Sequence, residues 1–281
     1  MNHLIQITKS DGTKQLFEEE KLVSSLKRVG APIEAIEAVV DEIEKTMHEG
    51  MSTSEIYSKA FSLLRAHSHP VAVKYSVRRA LLELGPDGFP FEKLVARIFR
   101  MWGYETLTDQ ILKGDCVEHE MDVVAWKGDS LAMVEAKYHH ESGLKSDVKV
   151  ALYVKARFDD LASQRFTYGG VARMLTERWL FTNTKFSDPA ITYGTFHGLK
   201  MVGWNFPAQG NLHDILENNG LHPVTCITSL TPQQKRDLIG RNILVCVDVV
   251  SQPNILSDIG VKGADAQKVL DEAKLIVAQA K

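Results

Sequence analysis

Residues 114–139 read GDCVEHEMDVVAWKGDSLAMVEAKYH. Two short apolar runs stand out, Met121–Ala125 and Leu131–Ala136, with Gly128-Asp129 between them as a turn signal. Runs of that length joined by so short a link predict a β-hairpin. Asp122 opens the first strand, and Glu135 and Lys137 close the second. Residues two apart in a strand share a face, so Glu135 and Lys137 point the same way and the hairpin register can bring Asp122 beside them.

The Glu-Ala-Lys tripeptide carries little weight by itself. The chain holds four acid-x-Lys triplets, ending at Lys21, Lys137, Lys149 and Lys274, and chance supplies roughly three at this composition. The copy at Glu272-Ala273-Lys274 falls in a helical pattern among alanines and leucine, so both its charged side chains are expected to face water. What separates Glu135 from its twin is context. The run FPFEKLVARIFRMWGYE (89–105) places Phe91, Leu94, Val95, Ile98, Phe99 and Trp102 on one helical face, and Gly103 ends it. Glu92, early on this helix, can approach the hairpin from the side. Downstream, VKVALYVKARFDDLAS is helical, Arg178–Thr182 reads as a strand, and Gly198–Trp204 with NLHDILENNGL reads as a last strand and helix. Residues 87–222 therefore read as an α/β domain.

Such a cluster suits phosphodiester hydrolysis. Asp122, Glu135 and the Ala136 carbonyl can hold Mg²⁺ (or Mn²⁺) with several waters left on the ion. The ion lowers the pKa of an attacking water, and a lysine beside it orients that water or stabilises the charged transition state. In an isolated hairpin the same residues would read as a salt-bridged strand end. Two neighbouring histidines, His139 and His140, point to opposite faces of a strand and cannot both ligate one ion; phosphate contact or solvation is expected of them. Lys145, Lys149 and Lys155, with Arg157, lie on or near the following helix, where they read either as DNA phosphate contacts or as a solvated face.

Charge supports a polyanion only locally. The net charge of −3 is no global signal of nucleic-acid binding. Residues 87–136 carry 5 basic and 10 acidic groups, and residues 137–178 carry 8 and 5. That juxtaposition could hold a cation and steer a polyanion towards it. No apolar run approaches membrane length, and MNHLIQITKSDG lacks a signal-peptide core, so a cytoplasmic protein without a membrane partner is expected. The three cysteines form no C-x-x-C pair and argue against a zinc ribbon or disulfide scaffold.

Residues 1–86 read as a hairpin with a bundle of four helices. Ile5 and Ile7 alternate with polar residues before the Asp11-Gly12 turn, and Ser52-Thr53-Ser54-Glu55 opens a helix with a capping-box pattern. IQITKSDGTKQLFEEEKL, MSTSEIY and VAVKYSVRRALLEL, in that order, resemble the ATP-cone, the nucleotide-sensing module found ahead of ribonucleotide reductases. The resemblance implies ATP or dATP as a regulatory ligand, with Lys9, Lys21 and Thr53 at the nucleotide. Where that family often has Lys-Arg before the turn, this chain has Ser10, which removes a bidentate phosphate grip.

The order helix, acid-bearing strand, Glu-x-Lys strand, with Glu92, Asp122, Glu135 and Lys137, resembles the PD-(D/E)XK restriction-endonuclease core, most closely its Mrr-like branch. The later WLFTNTKFSDPAITYGTFHGLKMVGW is similar to the last core strands of that branch. The usual Gly-x-Asp entry is replaced by Glu120-Met121-Asp122, and His119 and Glu120 have no counterpart in the pattern. Residues 223–281 read as a small helical domain whose SDIGVKG turn weakly resembles helix-hairpin-helix domains; a packing or dimerising cap is an equal reading. The whole is expected to be an α/β multidomain protein: ATP-cone, restriction-endonuclease-like α/β/α core with a mixed sheet, and helical C-terminal domain. The implied activity is a nucleotide-regulated, Mg²⁺-dependent DNA endonuclease acting as a homo-oligomer. The alternative is a non-catalytic, nucleotide-responsive DNA-binding or assembly protein.

Overall fold

The computed structural model describes residues 5–9, 12–85, 87–141 and 143–278, apart from the side chains of residues 69 and 70. It opens with an antiparallel hairpin, β1 (Gln6–Thr8) and β2 (Lys14–Leu16). Lys9 N–H donates to Thr13 O at 2.8 Å to close it, while Ser10 and Asp11 lie outside the described residues. Four helices follow: α1 (Glu19–Arg28), α2 (Ile33–Thr46), α3 (Thr53–His67) and α4 (His69–Leu82). The capping box at the start of α3 forms as its sequence predicts, with Ser52 and Glu55 each bonding the other's backbone N–H. Ile7, Leu26, Val39, Ile43 and Leu64 bury themselves in one small core.

The central part starts with α5 (Phe89–Met101), whose apolar stripe is buried as the helical spacing requires. Gly103 takes φ 84, a left-handed conformation that ends the helix turn. Next come β3 (Glu105–Lys113), β4 (Glu118–Lys127) and β5 (Ser130–Lys137), then β6 (Lys145–Ser146), α6 (Val148–Leu161), β7 (Arg165–Tyr168), β8 (Val171–Met174), β9 (Glu177–Thr182), β10 (Lys185–Phe186), α7 (Asp188–Phe196), β11 (Lys200–Val202) and α8 (Leu212–Asn218). The main sheet runs β11-β9-β5-β4-β3. It is mixed, because β3, β4 and β5 pair antiparallel while β9 and β11 are parallel. One face carries Val123, Ala125, Ala132, Val134 and Ala136 against α4, α5 and the C-terminal helices. The other carries Val124, Trp126, Leu131 and Met133 against α6 and α7. Helices thus cover both faces, as a sheet whose strands are apolar on both sides demands.

The C-terminal segment adds a 3-10 turn (Val224–Cys226) and helices α9 (Pro232–Gly240), α10 (Cys246–Ser251), α11 (Ile255–Asp258) and α12 (Gly263–Val277). It shares one continuous core with α4 and α5: Cys226, Leu244, Val249, Ala273 and Ile276 pack in the same cluster as Val77, Leu81 and Phe99. Arg97 of α5 pairs with Asp248 of α10, and Thr225 Oγ1 donates to Ala80 O at 2.6 Å. One expectation fails here. Glu272 does not face water; it is 8% exposed and accepts from both the backbone N–H and the hydroxyl of Thr228 and of Ser229. Lys274 is exposed. No helix among the described residues is long and apolar enough to cross a membrane.

Candidate active site

The predicted hairpin forms with Lys127 opposite Ser130 and pairs outward as far as Val123 opposite Val134. Continuing that register sets Asp122 across from Glu135, and directly opposed residues share a face. Asp122 Oδ2 accepts the Ala136 N–H at 2.6 Å, which pins the two strand ends together. A strand residue points its N–H and C=O to the same side, so the Ala136 carbonyl opens on the side of Asp122. Lys137, exposed at the last strand position, lies close enough for its charge to act on Glu135.

Glu92 stands in the first turn of α5, its carboxylate close over Gly88: a Cβ there would sit 3.1 Å from Oε1. Burial, then the charges of Asp122, Asp109, Glu120 and Glu135, push the Glu92 carboxyl up to about 8. Burial and the Asp122 charge push Glu135 up to about 7, against Arg157 and Lys137, which pull it down. Asp122 is raised by burial, against the Ala136 hydrogen bond and Arg157. All four expected residues therefore interact, and all three acids sit above their ordinary range.

Two contributors were not legible in the sequence. Asp109 has φ 56, and the β3–β4 ladder skips from Thr108↔Val123 to Gln110↔Met121, which leaves Asp109 facing Asp122. Arg157, expected either at DNA phosphates or on a solvated face, is instead buried in α6 and ion-paired with Glu135, its guanidinium also 5.3 Å from the Tyr153 ring centre. The helical spacing of Arg157, in step with Ala151, Val154 and Phe158, was the available signal that it points inward. A half-buried set of carboxylates held above their normal range is an electrostatic environment that a divalent cation relieves, and the donor chemistry, two carboxylates and a carbonyl, fits a hard ion. Among the described residues no three His, Cys, Asp or Glu side chains converge as a complete ligand set.

The remaining candidates scatter. Lys145 and Lys149 are exposed, whereas Lys155 is committed to Asp159 at 2.7 Å. His139 is not solvated: its Nε2 lies 2.9 Å from Ser146 Oγ, which donates to Thr182, and its backbone is clasped by Asn183. His140 is exposed beside Tyr138. His119 clamps Asp160 at 2.8 Å, and Asp160 also accepts from Cys116 N and Val117 N. This fastens the β3–β4 turn to α6 so closely that a Cβ at Gly114 would lie 2.1 Å from Asp160 Oδ2.

In the N-terminal domain, Thr8 bridges Ser52 in parallel, and Thr8 N–H donates to Met51 O at 3.0 Å. Lys9 and Thr53 are the next residues on either side of that bridge, so hairpin and α3 start are brought together. Lys21 is exposed and paired with Glu18 at 2.7 Å.

Two family models match parts of the chain. The ATP cone domain family matches residues 5–83, and the family described as AF1548-like, C-terminal matches residues 222–277. An uncharacterised protein of Archaeoglobus fulgidus is 35% identical over 184 residues, which is 65% of this chain and 99% of that protein. A crystal structure described as a protein of unknown function, AF1548, is similar at 34% identity with a TM-score of 0.56, covering 68% of this chain and 99% of that one. Residues 5–83 are an ATP cone domain, and the chain belongs to the family of that Archaeoglobus fulgidus protein.

Proposed function

We propose that this protein is a Mg²⁺- or Mn²⁺-dependent DNA endonuclease whose activity is set by an adenine nucleotide on the ATP cone domain. The observation that carries the reading is the cluster of Asp122, Glu135, Lys137 and Glu92 at the sheet's end, with its carboxyls at about 7 and 8 for Glu135 and Glu92. Carboxyls pushed up by burial and by one another in a cleft are a recurrent mark of functional sites. Asp122, Glu135 and the Ala136 carbonyl would hold the ion. When bound, it supplies an activated water and charge compensation for the phosphate.

Lys137 orients the attacking water and offsets charge developing on the phosphate oxygens. Glu92, protonated at neutral pH while its neighbours are uncompensated, can hold a proton beside the site or give it up as a cation enters. Lys9, Lys21 and Thr53 would receive ATP or dATP. These assignments rest on the restriction-endonuclease resemblance and the cluster's electrostatics together.

A second reading has one specific observation in its favour. Arg157 already neutralises Glu135 from within α6, as it would in a nuclease-like scaffold that has become a nucleotide-responsive binding or assembly protein. One experiment separates the two. Purified protein is incubated with supercoiled plasmid and Mg²⁺ or Mn²⁺, with and without ATP and dATP, beside Asp122→Ala. The endonuclease reading expects metal-dependent nicking that Asp122→Ala abolishes and nucleotide modulates; equal DNA stability in both samples sinks it.

A further inference from the structure

Cations gather where the ATP cone domain meets the central domain. A cleft of about 600 Å³ is lined by Lys27 and Arg28 from the end of α1, Lys74 from α4, and Trp204 and Glu217 across from them. Arg78, one turn beyond Lys74, places its guanidinium 5.9 Å from the Trp204 ring centre. Beside it, the short parallel pair β6–β10 sets Lys145 directly opposite Lys185. Opposed residues on adjacent strands share a face about 5 Å apart, and like charges placed so destabilise the pair.

These groups feel one another. Burial first, then the charges of Arg78, Arg28 and Lys145, hold Lys185 below the usual lysine range. Burial and Arg28 act on Arg78 in the same sense. Among the described residues no ion pair joins Arg28, Lys145 or Lys185 to an acid. The two acids of the cleft already have partners. Glu217 meets His222 at 3.3 Å and Lys74 at 3.8 Å, and Asp214 accepts from Gly210 N and Asn211 Nδ2, both at 2.9 Å. The cluster also abuts the candidate active site, because Ser146, next to Lys145, hydrogen-bonds His139 just past Lys137.

We propose that Arg28, Arg78, Lys145 and Lys185 form a track for the phosphodiester backbone of DNA, so that one bound strand is held jointly by the ATP cone domain and the central domain. The choice of DNA as the polyanion rests on the endonuclease reading; the cation cluster does not. Self-repelling cations drawn from α1, β6 and β10 cost stability in the free protein, a cost offset when phosphates sit among them. Half the track belongs to the domain that binds nucleotide. A nucleotide that shifts that domain therefore changes DNA affinity directly, without any change at Asp122 or Glu135.

The test uses the full chain and a short fluorescein-labelled duplex in EDTA, read by anisotropy across a salt series. Arg28→Glu and Lys185→Glu should each weaken binding about tenfold or more, and the salt slope should fall by about 1 for each cation removed. Lys45→Glu, an equal charge change on an exposed part of α2, should leave affinity and slope at the wild-type values. Lys185→Glu should also melt no lower than wild type, because Lys145 gains an opposite charge across the strand pair. Unchanged affinity in the Arg28 and Lys185 variants overturns the track, as does an equal loss with Lys45→Glu. Competition arms with tripolyphosphate separate the sources of phosphate: binding of tripolyphosphate with none of the duplex overturns the DNA assignment. Plasmid cleavage in Mg²⁺ is read separately. A protein that binds through the track but never cuts refutes the endonuclease reading alone; one that cuts, with variant affinities unchanged, refutes the track alone.

Discussion

The chain contains Glu-Ala-Lys twice, at 135–137 and 272–274, and folding turns the two copies into opposites. Both glutamates leave bulk water. Glu272 meets four donors from Thr228 and Ser229, which hold its carboxyl below the usual range despite burial. Glu135 meets one guanidinium and a neighbouring carboxylate, and its carboxyl rises to about 7. The first arrangement satisfies a charge completely and fastens α12 to the turn before α9. The second leaves a surplus of acid at the end of a sheet. Burial is common to both; what differs is whether the partners are donors or other acids.

The comparison breaks most visibly at the two lysines. Lys137→Ala should lower metal-dependent DNA cleavage by on the order of 10²–10⁴-fold, the range for removing a group that acts on the nucleophile or the developing charge. Lys274→Ala, on the exposed side of α12, should cut at the wild-type rate and melt with it. Time courses on supercoiled plasmid read both variants. Equal activity in the Lys137 variant would place the first tripeptide alongside the second, as structure alone.

How far this was legible depended on where each residue's partners lie along the chain. The hairpin was readable because its apolar runs, its Gly128-Asp129 turn and its acids all fall within one short stretch. The α5 stripe was readable because helical spacing repeats locally. β3 was not: as an edge strand it alternates exposed and half-buried residues and presents few apolar side chains, so no pattern marks it. With β3 unseen, Asp109 could not be placed opposite Asp122. The burial of Glu272 is hidden for the same reason, since its donors lie 43 and 44 residues upstream, and a buried carboxylate leaves no mark in local periodicity. The pairing of Arg157 with Glu135 spans 22 residues across a sheet–helix interface. Local pattern reaches secondary structure; the charge balance of a site is a tertiary property.

The second contrast is in stability. Glu272→Ala strands the backbone N–H groups of Thr228 and Ser229 in a half-buried pocket, and removing the acceptor of several charge-assisted bonds should cost about 3 kcal/mol. Glu272→Gln keeps the shape and one acceptor oxygen, and should lose roughly half as much. Urea unfolding followed by circular dichroism gives both values. A loss under about 0.5 kcal/mol for Glu272→Ala would show that water replaces the carboxylate without penalty.

The smallest effect is the most discriminating, because the two regions should respond to pH with opposite sign. A carboxyl lowered in the folded state, as at Glu272, binds fewer protons folded than unfolded around its ordinary value of 4.5. Its stabilisation is present above that value and fades as pH falls through the folded pKa. The acids at the sheet end behave in reverse. Glu92, about 8 when folded against 4.5 ordinarily, holds its proton in the folded state between those limits, so stability declines as pH rises through that window. Glu92→Gln reads this cluster without breaking the Arg157 pair. Relative to wild type it should gain about 1 kcal/mol between pH 5 and pH 9, a figure reduced for partial exposure. Mg²⁺ should raise the melting temperature of wild type at pH 9, where the acids are charged, and lose that effect at pH 5 and in Asp122→Ala. Parallel pH profiles for wild type and Glu92→Gln would mean that the acids at the sheet end are as fully compensated as Glu272, and the distinction between the two tripeptides would then rest on Lys137 alone.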